Sequence, residues 1–151
     1  MNLQEELKAL KERIAELEEL AKEEREFPQV GDIYWRIDDK GSVDNSLYND
    51  YYTDNHRQAI GNFFQTKQQA EFTVKKLKVE AELRKFGRPF EYGKFNYYLF
   101  FVIDGDNLKI DFTSYCQPQG AIYFESEEKA QEAVSAVGKE RINKYIFGVE
   151  D

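Results

Sequence analysis

The chain has one cysteine, Cys116, and one histidine, His56, in 151 residues. A lone thiol excludes an intramolecular disulfide, and a Cys/His metal site would need ligands the sequence does not supply. Long hydrophobic runs are also missing. The longest, YYLFFVI at residues 97–103, has the length of a strand and falls far short of the ~20 apolar residues of a membrane helix. The first residues are charged and hold no apolar signal region. No phosphate-binding G-x-x-x-x-G-K-[ST], dinucleotide G-x-G-x-x-G, hydrolase G-x-S-x-G or zinc H-E-x-x-H motif occurs. These absences predict a cytoplasmic protein in a reducing compartment, with no membrane contact, no metal, no cofactor and no catalytic residues.

Aromatic residues are plentiful at 15%, nearly all Tyr and Phe, which argues for a packed core despite 33% charged residues. The net charge of −8 is unevenly spread. Residues 1–26 hold five basic and nine acidic groups, 27–66 three and six, and 95–151 five and ten. Residues 67–94 reverse the balance, with eight basic and four acidic groups. An acidic chain with one basic segment repels nucleic acid overall.

Residues 1–26 contain no Gly or Pro, and apolar residues fall at Leu3, Leu7, Leu10, Ile14, Leu17 and Ala21. The spacing of 4, 3, 4, 3, 4 is a heptad seam with Leu3, Leu10 and Leu17 at d and Leu7, Ile14 and Ala21 at a. Glu6 at g would face Lys11 at e of a second helix, and Arg13 would face Glu18, so a parallel homodimer is expected. The bland alternative is an amphipathic helix folded back on its own domain. Three heptads are marginal alone.

FPQVGD at residues 27–32 ends this helix. The remainder reads as one α+β domain, residues 28–151, written twice. The first unit, about 30–88, opens with IYWRID, turns at Asp39-Lys40-Gly41 and takes a second strand from Ser42. A polar-aromatic loop follows at residues 45–58, then AIGNFF and a helix from Thr66. Thr66 and Gln69 form a capping box. Ala70, Val74, Leu77 and Ala81 are its expected inner stripe, widened by Phe72, Val79, Leu83 and Phe86, with Gly87 and Pro89 as the stop. The second unit, about 95–148, has strands at 97–104 and 108–115 around a turn at residues 105–107, then AIYFE. A helix capped by Ser126 follows, lined by Ala130, Ala133, Val134 and Val137, and a short terminal helix closes the chain. Phe64, Thr66, Ala70 and Val74 match Phe124, Ser126, Ala130 and Val134 at a constant offset of 60, while Ile37-Asp38 matches Ile103-Asp104 at 66. The predicted fold is therefore α+β: an N-terminal coiled-coil helix, residues 1–27, followed by two repeated β-β-(β)-α units with antiparallel sheet.

Little in the sequence carries chemistry. Asp104-Gly105-Asp106-Asn107 starts like a calcium loop, but Leu108 and Lys109 break the pattern, leaving a hairpin turn. A Cys116–His56 dyad has no other support. Two surfaces remain as candidates. Tyr48, Tyr51, Tyr52, His56 and Arg57 are residue types of protein interfaces, against the alternative that the tyrosines lid a sheet. Lys75, Lys76, Lys78, Arg84, Lys85 and Arg88 could track phosphates, against the alternative of an ordinary solvated helix face.

GDIYWRID, IGNFFQTKQQAEFTVKKLKVEAELRKF and IYFESEEKAQEAVSAVGKERINKYIFGVE resemble a family of small, mostly uncharacterised proteins from phages and prophages of Firmicutes. Its members read I-G-N-x-F-x-T-x-E-E-A-E, then K-L-K-V-x-A-E-L-K, and end I-x-K-Y-x-F-G-V-E. The resemblance covers nearly all of residues 30–150. Lys67, Gln68 and Gln69 depart from it where acids are usual, as does Lys139 after Gly138. It implies a cytoplasmic life in a bacterial host and transfers no catalytic residue. The expected function is a non-catalytic phage accessory protein binding a host protein or complex, with anti-CRISPR or other anti-defence inhibitors as the obvious class. The alternative is a nucleic-acid-binding protein of phage replication or regulation.

Overall fold

The computed structural model describes residues 2–105 and 107–150, with the side chains of residues 22–24 set aside. Asp106, in the turn expected at 105–107, lies outside the described residues. The order of elements is α1 (Leu3–Glu24), β1 (Ile33–Ile37), β2 (Val43–Leu47), α2 (Tyr52–Ala59), α3 (Lys67–Arg84), β3 (Asn96–Phe101), β4 (Leu108–Thr113), α4 (Glu127–Val137) and α5 (Lys139–Tyr145). β1 pairs with β2 and β3 with β4, giving two small antiparallel sheets. The fold is α+β, an N-terminal helix followed by β-β-α units. Among the described residues no helix is long and apolar enough to cross a membrane.

Local chemistry sets the helix starts. At the head of α1, Asn2 Oδ1 accepts the Glu5 N–H at 2.9 Å, and Glu5 in return accepts the Asn2 N–H at 3.3 Å. The predicted box on α3 is present: Thr66 Oγ1 accepts from Gln69 N at 3.2 Å and Gln69 Oε1 from Thr66 N at 3.3 Å. Ser126 Oγ accepts the Lys129 N–H at 3.1 Å and starts α4. Each box satisfies N–H groups that have no partner inside the helix.

The repeat has a backbone signature. Trp35 and Phe64 exchange two hydrogen bonds of 2.8 Å, and Tyr97 and Phe124 exchange two of 3.0 and 2.8 Å. In both units one residue of the first hairpin strand is thus locked to the aromatic two positions before a helix cap. Phe64 and Phe124 are equivalent as expected. Ile37 and Ile103 are not: Ile37 lies inside β1, whereas Ile103 follows the end of β3 and is 88% exposed. Measured from the locked residue, the turn aspartate comes at Asp38 in the first unit and at Asp104 in the second, so the second hairpin arm is longer.

The compact bodies do not coincide with the repeats. One comprises the residues up to Arg36 with Asn45–Gln65, and the other Ile37–Asp44 with the residues from Thr66 onward. Within the second, α3 contacts α4 and α5. Its core is Val79 and Leu83 of α3, Phe124, Ala130, Ala133 and Val137 of the α4 region, and Ile142 of α5, with Leu99, Leu108 and Ile110 of the β3–β4 sheet packed against it. Alanines at 130 and 133 leave no side-chain bulk at the contact, which permits close helix approach. The inner stripe of α3 is shifted from the expected one: Ala70, Val79 and Leu83 are buried, but Leu77 and Ala81 are exposed. Glu82, between the buried Val79 and Leu83, instead reaches Arg141 of α5 in a two-pronged pair at 2.7 and 3.1 Å.

Gly87, three residues past the end of α3, is glycine for a spatial reason. A Cβ there would lie 2.9 Å from both Ile122 Cγ2 and the Tyr123 carbonyl oxygen. Only glycine lets the chain pass close enough for Arg88 N–H to reach Tyr123 O at 2.8 Å.

Candidate functional site

The segment expected to be a loop between β2 and the next repeat residues contains a helix, α2. Its sequence, YTDNHRQA, has no apolar stripe and opens on five weak helix formers, with the strong ones, Arg57, Gln58 and Ala59, only at its end, so helix propensity does not explain its start. The cause is Asp54. This aspartate is 5% exposed and holds four partners. Tyr34 Oη donates to Oδ1 at 2.6 Å, while the Asn49 and Tyr51 N–H groups donate to Oδ2 at 3.0 and 3.2 Å. The Arg57 guanidinium stands 4.0 Å from Oδ1. Asp54 thus occupies the third helical position and closes the helix start by accepting the Tyr51 N–H, as a capping-box acid does.

Tyr34, fully buried on β1, is the pivot of the cluster. It accepts from Arg57 Nη1 at 2.8 Å while donating to Asp54. The same Arg57 nitrogen reaches Ser46 Oγ at 3.4 Å. Its ring stacks on Phe63 at 4.1 Å, and Phe27 and Tyr48 pack on Phe63 at 5.5 and 6.1 Å. The electrostatics follow from this arrangement. The Tyr34 hydrogen bond, reinforced by the Asn49 and Tyr51 amides, holds the Asp54 carboxyl below the usual carboxylate range against the opposing effect of burial. Burial first, and then the Asp54 contact, push the Tyr34 phenol up. Tyr48 is also pushed up, by desolvation and by Asp50, which its hydroxyl meets at 3.2 Å.

The five candidate contact residues divide between support and surface. Arg57 is partly buried in the Asp54 cluster, and Tyr48 is half-buried against Phe63. Tyr51 and Tyr52 are 67% and 76% exposed, and the exposed His56 lies against the Tyr52 ring at 4.0 Å. The structure therefore places Tyr51 and Tyr52 at the start of α2, which the buried Asp54 carboxylate fixes, with His56 one turn on against the Tyr52 ring. Sequence reasoning overlooked Asp54 and Tyr34. The one available signal was the spacing Tyr51-x-x-Asp54, an acid three residues after a cap position.

On the second body, Lys75, Lys76, Lys78, Arg84 and Lys85 are exposed along α3. Acids interrupt them: Glu80 lies 3.4 Å from Arg84, and Glu82, whose carboxyl Arg141 holds low, is partnered across to α5. Lys75 Nζ sits 5.9 Å from the Tyr145 ring centroid. Arg88 is committed elsewhere, donating to the Pro89 and Phe95 carbonyls and at 2.7 Å to Asn96 Oδ1. Asn96 is fully buried and makes five side-chain hydrogen bonds, which brace residues 88–96 against Thr113. Lys76 also lines a cleft of about 430 Å³ with Tyr98, Phe100, Ile122 and Phe147. Cys116 is exposed, its N–H bound to Thr113 Oγ1 at 3.2 Å. Among the described residues no group of three or more His, Cys, Asp or Glu is placed to hold a metal ion.

The seam residues of α1 stand in solvent. Leu3, Leu7, Leu10, Ile14 and Leu17 are 48–84% exposed, and Ala21 is exposed as well. No protein-family model matches the chain, and neither a curated protein nor a solved structure matches it. The resemblance to phage proteins accordingly rests on its motifs alone.

Proposed function

We propose that the protein is a non-catalytic phage or prophage accessory factor that acts by protein–protein binding in the cytoplasm of a bacterial host. Its target is a host nucleic-acid-handling complex, in the manner of an anti-CRISPR or other anti-defence inhibitor. The observation that carries the binding reading is the junction of Asp54 with Tyr51 and Tyr52. A carboxylate with four partners fixes the start of α2, and two largely exposed tyrosines stand on that fixed start. Rigid aromatic side chains lose little freedom on binding, so they suit an interface anchor better than a mobile loop would. The net charge of −8 favours a basic partner surface, and the phage context comes from the sequence motifs.

The test is capture from host lysate over a salt series, with Tyr51→Ala/Tyr52→Ala as the control. The expected result is a protein retained by the native chain and lost by the double variant. Recovery of DNA or RNA without any protein ends this reading. It would favour the second one, nucleic-acid binding along α3, for which the exposure of Lys75, Lys76, Lys78, Arg84 and Lys85 speaks. A salt-dependent gel shift abolished by Lys75→Glu/Lys76→Glu/Lys78→Glu would then follow.

A further inference from the structure

We infer that α1 pairs with α1 of a second copy of this chain, parallel and in register, as a two-stranded coiled coil. The seam is continuous through the helix, and its leucines and isoleucine are 48–84% exposed. A capped helix of 22 residues, roughly 33 Å long, therefore carries an apolar stripe that is exposed among the described residues. Leu20, at a g position beside the seam and 47% exposed, widens the stripe. Leucine at every d position with Ile14 among the a positions is the pattern of parallel two-stranded pairing.

The charges beside the seam choose the occupant and its direction. In a parallel pair, Glu6 faces Lys11 of the second copy and Arg13 faces Glu18, so both contacts attract. In an antiparallel pair that sets Leu7 against Leu17 and Leu10 against Ile14, like positions face each other. Arg13 then meets Arg13 and Lys11 meets Lys11, and both contacts repel. All four charged residues are exposed on α1, and Arg13 meets Glu16 of its own helix in an exposed pair at 3.0 Å. A second copy thus supplies both the apolar stripe and the complementary charges.

Sedimentation of the full chain tests this. Because three heptads pair weakly on their own, the mass should rise with concentration, over about 1–100 µM, from 17.8 kDa to twice that value. Ile14→Glu should hold the mass at one chain while the near-UV circular dichroism of the Tyr and Phe residues, all of which lie outside α1, stays unchanged and shows that the rest of the chain is folded. Reversing the g charges, Glu6→Lys with Arg13→Glu, should weaken association about tenfold. Adding Lys11→Glu and Glu18→Lys should restore it. A native chain that stays monomeric throughout, a dimer that survives Ile14→Glu, or an assembly of three chains would overturn the inference. So would indifference to the g reversal, because an antiparallel pair keeps like charges together at position 13 either way.

Discussion

Replacing Asp54 with asparagine probes the support of the candidate surface at its weakest point. The carboxylate takes Tyr34 Oη on one oxygen and two backbone N–H groups on the other. An amide can satisfy only one side. Facing Asn49 and Tyr51 its NH2 opposes two donors, and facing Tyr34 it displaces the 2.6 Å bond. Arg57, 4.0 Å away, also loses its counter-charge. A hydrogen bond to a charged group contributes about 1.5–3 kcal/mol, and breaking a buried pair costs about 3–5 kcal/mol. We expect Asp54→Asn to destabilise the protein by about 3 kcal/mol at pH 7, read by urea unfolding, with Tm lower by roughly 6–12 °C. Tyr34→Phe should cost less, and the double variant less than the sum, because both changes remove the same bond.

The pH dependence has a definite sign. Asp54 titrates below its unfolded value of about 4, so its contribution is complete above that value and is lost as pH falls through the depressed one. The gap between the native chain and Asp54→Asn should hold steady from about pH 5 to 8 and narrow below about pH 4. A stability loss under about 0.5 kcal/mol at pH 7, or a gap that widens on acidification, would refute the reasoning.

Gly87→Ala should lower stability by about 1–3 kcal/mol in a thermal melt, since its Cβ meets a backbone carbonyl that cannot swing aside; an unchanged melt would show that the chain relaxes there. Asn96→Ala strips five hydrogen bonds from a fully buried position. It should cost about 3 kcal/mol and speed amide exchange at Glu91, whereas retained protection would show that this amide is not the brace. Thr66→Ala should cost about 1 kcal/mol, concentrated in faster exchange over the first turn of α3. Tyr51→Ala and Tyr52→Ala should each leave stability within about 0.5 kcal/mol of the native chain while abolishing capture of the partner.

The parts of the fold that could be read from the residues are those decided locally. Thr66, Gln69 and Ser126 announce their helices because a cap is a short-range hydrogen bond between neighbours in sequence. The match of Phe64 to Phe124 is legible because both residues make the same backbone lock two places before a cap. α2 is illegible for the opposite reason. Its start depends on Tyr34, twenty residues away, and one buried aspartate among 29 acidic residues looks like any other. The shifted face of α3 follows from the same limit. Leu77 and Val79 both suit an apolar stripe, and only the position of α4 and α5 decides which of them is covered. At the candidate contact surface, the residues alone pointed to Tyr48, Tyr51, Tyr52, His56 and Arg57 but not to Tyr34 and Asp54, which with Arg57 fix the start of α2.

Gly138 ends α4 and starts α5 with no spacer, donating to the Val134 carbonyl at 2.9 Å and accepting from Ile142 N–H at 3.1 Å, with φ +101°. The joint is consequently a gear with fixed teeth. One added residue, taken up as helix, would rotate α5 by about 100°, carrying Ile142 out of the core and Arg141 away from Glu82 in a single step. Natural or engineered variation in chain length should accordingly accumulate in the turns of the hairpins and be purged at this position.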